Sequence, residues 1–282
     1  MALGLIKQIR QAVNYLNPEE VRHDAEHRLA MALHAPTPEA LFAMEAFFCP
    51  PSLSQAKRAE VLEILHSVQT PDIEVYDSSI PCPRGGVIFD ADHPELCVRT
   101  ILKRAPQLEL SLSRHMHPFR ETVVNNIIAR IAKENALFSL ATALPDIIPL
   151  ISLPWAIGEF ASDTAFLTMN QVRMTFMIAA ASDHPIGYRE QKAELGSILA
   201  GAFGFRAVAR ELIGKIPFGG GLLPKAGIAY AGTRVVGLSM DRLYKSGYGL
   251  SQDERKVAYE EAYDKGKEFG SKILKRLRGK TA

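Results

Sequence analysis

NALFSLATALPDIIPLISLPWAIGEF, residues 135–160, decides how the chain reads. Asp146 is the only charge before Glu159, yet Pro145, Pro149 and Pro154 interrupt the apolar run. A straight membrane span needs about 20 predominantly apolar residues, and each interior proline removes a backbone donor and bends or ends a helix. We therefore expect two short helices broken around Asp146 to Pro154. The following stretch, ASDTAFLTMNQVRMTFMIAAASDH, carries Phe166, Met169, Val172, Phe176 and Ala180 at helical spacing, with Asp163, Asn170 and Arg173 near another face. GSILAGAFGFRAVARELIGKIPFGGG then places Arg206 and Arg210 one turn apart beside Gly196, Gly201 and Gly204. LPKAGIAYAGTRVVGLSMDRLYKSGYG adds Gly227, Ala231, Gly232 and Gly237. Glycine costs about 1 kcal/mol in an exposed helix interior, so helices this rich in it imply close packing of backbones.

The longest charge-free runs, 147–158 and 195–205, are too short to span a bilayer. Asp163, Arg173, Arg206, Arg210, Lys225 and Arg234 would each be costly near its centre. A buried helical bundle is the expectation, with partial insertion or surface attachment through the proline-broken hairpin as the other reading. Buried charges are tolerated only when paired. Asp163 is expected to pair with Arg206 or Arg210, and Asn170 or Gln171 to bond across helices.

The net charge of +2 on 282 residues hides an asymmetry. From Lys265 onward the chain holds Lys265, Lys267, Lys272, Lys275, Arg276, Arg278 and Lys280 against Glu268 alone. Such a basic amphipathic end suits an anionic lipid surface; without aromatic interleaving or a nucleic-acid motif, a nucleic-acid partner is not expected. Cys49, Cys82 and Cys97 are odd in number and form no CxxC pair, so neither a disulfide framework nor a zinc knuckle is indicated. The N-terminal stretch lacks a cleavage site of the secretory kind and reads as a cytoplasmic start.

Taken in order, residues 1–16 read as an amphipathic helix with Leu3, Ile6, Ile9, Val13 and Leu16 on one side, and Asn17-Pro18 opens the next helix. That second helix contains HDAEH, in which His23, Glu26 and His27 match the inverted zinc-peptidase string H-x-x-E-H. No third ligand follows in a convincing context, so a solvated charged face is the stronger reading and no metal is expected. From Arg28 to Arg114 the pattern becomes strand RLAMALHA, helix TPEALFAMEAFF capped by Thr37, helix SLSQAKRAEVLEILHSV, strands DIEVYD and GGVIFDA, helix PELCVRTILKRA and a last strand LELSLS. The loop from His34 to Pro38 lacks the glycines and lysine of a phosphate cradle. Near the C-terminus, Ser251 and Glu254 have capping-box spacing.

The blocks FRETVVNNIIARIAKENALFSLATALPDIIPLI, DTAFLTMNQVRM, GFRAVARELIGKIPFGGG and KAGIAYAGTRVVG, in this order over roughly residues 118–249, resemble the YcjF-like family of bacterial helical domains. Members occur fused to, or beside, Era-like and dynamin-like GTPases. The resemblance implies a membrane-associated helical domain with no established enzyme activity, at the inner membrane, and a degenerate GTPase-like neighbour for the α/β part. The expected fold is α+β, mainly α: amphipathic helices at 1–27, a small open α/β layer at 28–114, a glycine-rich helical bundle at 115–250 and a basic helix at 251–282. The expected function is that of a non-enzymatic, self-associating protein, membrane-peripheral or partly inserted, acting with a GTPase or membrane-remodelling partner and without a cofactor. Lys225, Lys272, Lys275, Arg276 and Arg278 are the candidate lipid contacts. The alternative is a lipid or small-molecule binder, or an enzyme, with a pocket in the bundle.

Overall fold

The computed structural model describes residues 17–67, 70–142, 163–198 and 221–278. The helix expected at 1–16, the proline-broken hairpin, and Arg206 and Arg210 lie outside the described residues. The fold is α+β and mainly helical. Among the described residues, no helix is long and apolar enough to cross a membrane. The chain divides into two compact units. One comprises Glu19–Asn125 with Ala179–Pro185, and the other the described residues of Asn126–Ile178 and Ile186–Ala282.

The first unit is built on a parallel sheet of β1 (Met31–His34), β2 (Ile73–Asp77) and β3 (Val87–Phe89), in the order β1-β2-β3. Parallel neighbours need a long crossover; α2 (Pro38–Phe48) and α3 (Gln55–Leu65) supply it between β1 and β2. Thr37 starts α2 by accepting from the Ala40 N–H at 3.3 Å, with Pro38 in the first turn, where its missing donor costs nothing. Alternation puts Met31, Ile73, Val75, Val87 and Phe89 on the buried face. Phe48, wholly buried, packs its ring 6.1 Å from Phe89 and 6.1 Å from Phe119. On the opposite face the register aligns His34, Tyr76 and Ile88, and the His34 and Tyr76 rings stack at 4.3 Å. Ahead of the sheet stands α1 (Pro18–Ala25), and after it come α4 (Pro94–Arg104), a 3₁₀ turn (Pro106–Leu108) and α5 (Glu109–His115).

The segment LELSLS, expected as a strand, is therefore helical. Alternation is informative only where one face stays polar, and here Leu110, Ser111, Leu112 and Ser113 are all buried. Each serine finds a carbonyl without a ladder: Ser113 Oγ donates to Glu109 O at 2.8 Å and Ser111 Oγ to His27 O at 2.6 Å. The following helix begins at His117.

The second unit holds most of α6 (His117–Ala141), most of α7 (Asp163–Ala181), a helical segment at 192–198, α8 (Leu222–Ser246) and α9 (Gln252–Arg278). Within this unit α7 is buried nearly all round, as a central helix must be; Phe166 stacks on Phe138 of α6 with ring centroids 3.7 Å apart. Gly247 ends α8 in the left-handed region, φ 82°, and its N–H returns to Leu243 O at 2.8 Å. Ser251 and Glu254 then open α9 reciprocally: the Glu254 N–H donates to Ser251 Oγ at 3.3 Å and the Ser251 N–H to Glu254 Oε2 at 2.9 Å. The two helices pack antiparallel through glycine. A Cβ at Gly266 would come within 2.9 Å of Gly227 Cα, and one at Gly227 within 2.8 Å of the Tyr263 ring.

Candidate functional site

The histidine string does not form a helical metal pair. α1 ends at Ala25, so Glu26 and His27 fall beyond it, and the one-turn spacing that would set two imidazoles on one metal is lost. His23 and His27 instead line a cleft of about 390 Å³ with Asp24, Asp72, Gln107 and Leu108, and Glu26 does not line it. Asp72 is committed to the backbone, accepting the Ala30 N–H at 2.9 Å. Among the described residues no group of three or more His, Cys, Asp or Glu side chains is placed to hold a metal.

Three helices of the second unit meet at a buried polar junction. Asn135 of α6 donates through Nδ2 to Thr233 Oγ1 of α8 at 2.7 Å, and its Oδ1 accepts from Asn170 Nδ2 of α7 at 2.8 Å. Thr233 passes its own proton to Ala229 O at 2.8 Å. All three side chains are fully buried, and Asn170 Oδ1 has no hydrogen-bond partner. One turn along α7, Arg173 lies 3.7 Å from Glu134 of α6. Burial pushes the Glu134 carboxyl above its ordinary value, against the pull of Arg173 and Arg130. Of the residues expected to form the network, Asn170 thus bonds across helices and Gln171 is buried. Asp163 is the first residue of α7. Asn135 and Thr233, central to the junction, are visible in the sequence only as polar residues on apolar or glycine-rich helices.

The outer end of α9 is basic. Phe269 and Ile273 pack against the cluster formed by Leu140, Ala226, Tyr230 and Ala262, while Lys265, Lys272, Lys275 and Arg276 are exposed. Gly270 allows this approach, since a Cβ there would come 3.2 Å from both Ala226 and Leu223. Glu268, the acid among these cations, pairs with Lys272 at 2.6 Å. Lys225, at the start of α8, is exposed too.

In the first unit a mixed ion cluster gathers around the turn that follows α7. Asp183 has φ 61°, the one positive value on a non-glycine among the described residues. Its N–H bonds Ala180 O at 3.1 Å and the His184 N–H bonds Ala179 O at 2.9 Å, the pattern of a Schellman cap, whose left-handed position usually belongs to glycine. Lys57 Nζ of α3 lies 2.9 Å from the Asp183 carboxylate, Arg120 of α6 3.5 Å and Arg114 of α5 3.8 Å. Lys57 also reaches Glu60 at 3.0 Å, and His115 bonds the same carboxylate. Burial pushes Glu60 up, but the His115 and Lys57 hydrogen bonds outweigh it and leave the carboxyl below its ordinary value.

Compared with protein-family models, with curated proteins and with solved structures, the chain matches none.

Proposed function

We propose that this chain is a non-enzymatic helical protein that sits at the cytoplasmic face of the inner membrane, peripherally or partly inserted, and self-associates beside a GTPase or another membrane-remodelling partner. The observation that carries the reading is the charge segregation along α9. Between Lys265 and Arg276, five cations stand against one acid, on a helix end whose apolar side is occupied by its own unit. Lys265, Lys272, Lys275 and Arg276 face water, the arrangement that draws a helix to an anionic surface. Support for the partner comes from the sequence resemblance over 118–249. Support for partial insertion comes from the apolar composition of 143–162.

The test is flotation with anionic and neutral vesicles. Each Lys or Arg near an anionic surface contributes about 1 kcal/mol. Replacing Lys272, Lys275 and Arg276 by glutamine should therefore weaken binding to anionic vesicles roughly a hundredfold, with the helical circular dichroism unchanged and little effect at high salt. A variant that floats as well as the parent, or a parent that ignores anionic vesicles, removes the basis of the proposal.

A further inference from the structure

We propose that the turn after α7 is an electrostatic latch, closed by the Asp183 carboxylate and opened by a phosphate-class oxyanion that competes for the same cations. The inference is independent of the membrane reading above. Three cationic side chains from α3, α5 and α6 converge on one carboxylate, at 2.9 Å for Lys57, 3.8 Å for Arg114 and 3.5 Å for Arg120. Two of them are held by groups other than Asp183. Lys57 is fixed by Glu60 at 3.0 Å; Arg120 donates through Nε to Ser113 O and through a terminal nitrogen to Arg114 O, both at 3.1 Å. Lys57 and Arg120 therefore stay gathered when the carboxylate leaves. Arg114 is tied to the turn itself, through His184 O at 3.1 Å, and is freed with it.

Asp183 holds the left-handed position of the turn in place of the usual glycine (φ 61°), a region that aspartate and asparagine tolerate through their short polar side chains and that other residues adopt at a cost. Its carboxylate is also reachable, with about a third of the side chain exposed (32%), whereas Lys57 is only 13% exposed. Lys57, Arg114 and Arg120 bring three positive charges against the two of Asp183 and Glu60, and the neighbouring histidines, His115 and His184, add no negative charge. A doubly charged oxyanion with three or more acceptors can take the remaining N–H groups of two guanidiniums and one ammonium, more than a single carboxylate can.

The readout is amide exchange at Asp183 and His184, whose N–H groups are protected by the Ala180 and Ala179 carbonyls. In the native chain, inorganic phosphate should lower that protection roughly tenfold, while sodium chloride at equal ionic strength should not. Vesicles bearing phosphatidic acid, added in place of phosphate, tell whether a lipid headgroup can supply the anion; a response to either source supports the latch. Asp183→Asn keeps a residue that tolerates the left-handed turn but removes the charge. These amides should then exchange fast without any anion, and the Tm should rise when phosphate is added. Lys57→Gln should abolish the phosphate response of the native chain. Equal responses to phosphate and chloride, no response to either source, or native-like protection in the Asn variant overturns the proposal. If the Asn variant does not fold, the native-chain comparison decides alone.

Discussion

Replacing Asn135 by leucine should cost the second unit about 3 kcal/mol, because it strips partners from groups that water cannot reach. Asn135 is fully buried, donates to Thr233 Oγ1 at 2.7 Å and accepts from Asn170 Nδ2 at 2.8 Å. Each such bond contributes on the order of 1 kcal/mol net, and a buried donor left without an acceptor costs a further 1–3 kcal/mol or so. Thr233 keeps its bond to Ala229 O, so its hydroxyl proton stays satisfied. The orphan is the whole amide of Asn170, whose Oδ1 is already unpartnered. Apolar burial by the new leucine returns roughly 1 kcal/mol of the loss. Adding Asn170→Leu removes the orphan, so the double variant should lie within about 1 kcal/mol of the parent, a coupling energy of at least ~2 kcal/mol. Urea titrations followed by circular dichroism give the stabilities, and amide exchange along α7 and α8 assigns the transition to this unit. Additive single and double effects would falsify the reasoning, as would a cost below about 0.5 kcal/mol for Asn135→Leu.

Three further outcomes are expected. Gly266→Ala should lower stability by about 2–3 kcal/mol, because the new Cβ meets Gly227 Cα at 2.9 Å, backbone that cannot rotate away; thermal unfolding reads it, and a neutral result would mean the α8/α9 contact is looser than described. Glu254 is held down to about 2, chiefly by the Ser251 backbone N–H and then by Arg242. A depressed carboxyl stabilises above its unfolded value near 4.3 and loses that contribution as pH falls toward 2, so Glu254→Gln should make the acid limb of a Tm-versus-pH curve shallower, leaving the part that Glu60 and the other depressed carboxyls contribute; an unchanged limb would contradict the assignment. Burial pushes the Cys97 thiol up to about 12, whereas Cys82 is half-buried. A thiol reagent at neutral pH should accordingly label Cys82 in the native chain and Cys97 only after unfolding; equal labelling rates would contradict the burial.

Local chemistry made parts of the fold legible. Thr37 before Pro38 and Ser251 with Glu254 could be read as helix starts because a cap is a short-range hydrogen bond between residues at fixed spacing. A small open α/β layer could be read from alternating helices and strands, its parallel pairing only from the structure, and the glycines of α8 from the packing they permit. LELSLS misled because its alternation is not between core and water: serine and leucine alike are buried.

The sequence alone placed the helix starts at Thr37–Pro38 and at Ser251, strands within RLAMALHA, DIEVYD and GGVIFDA, the glycine-bearing α8 and the basic end of α9, since each depends on residues near one another in the chain. Only the tertiary structure decided that Asn170 meets Asn135 rather than another polar side chain, that Asn135 also bonds Thr233, and that Lys57, Arg114 and Arg120 gather on Asp183. These pairings join residues 35 to 126 positions apart. Any buried polar side chain requires some partner, and periodicity places it on a helix face, but the choice among partners is made by which faces pack together.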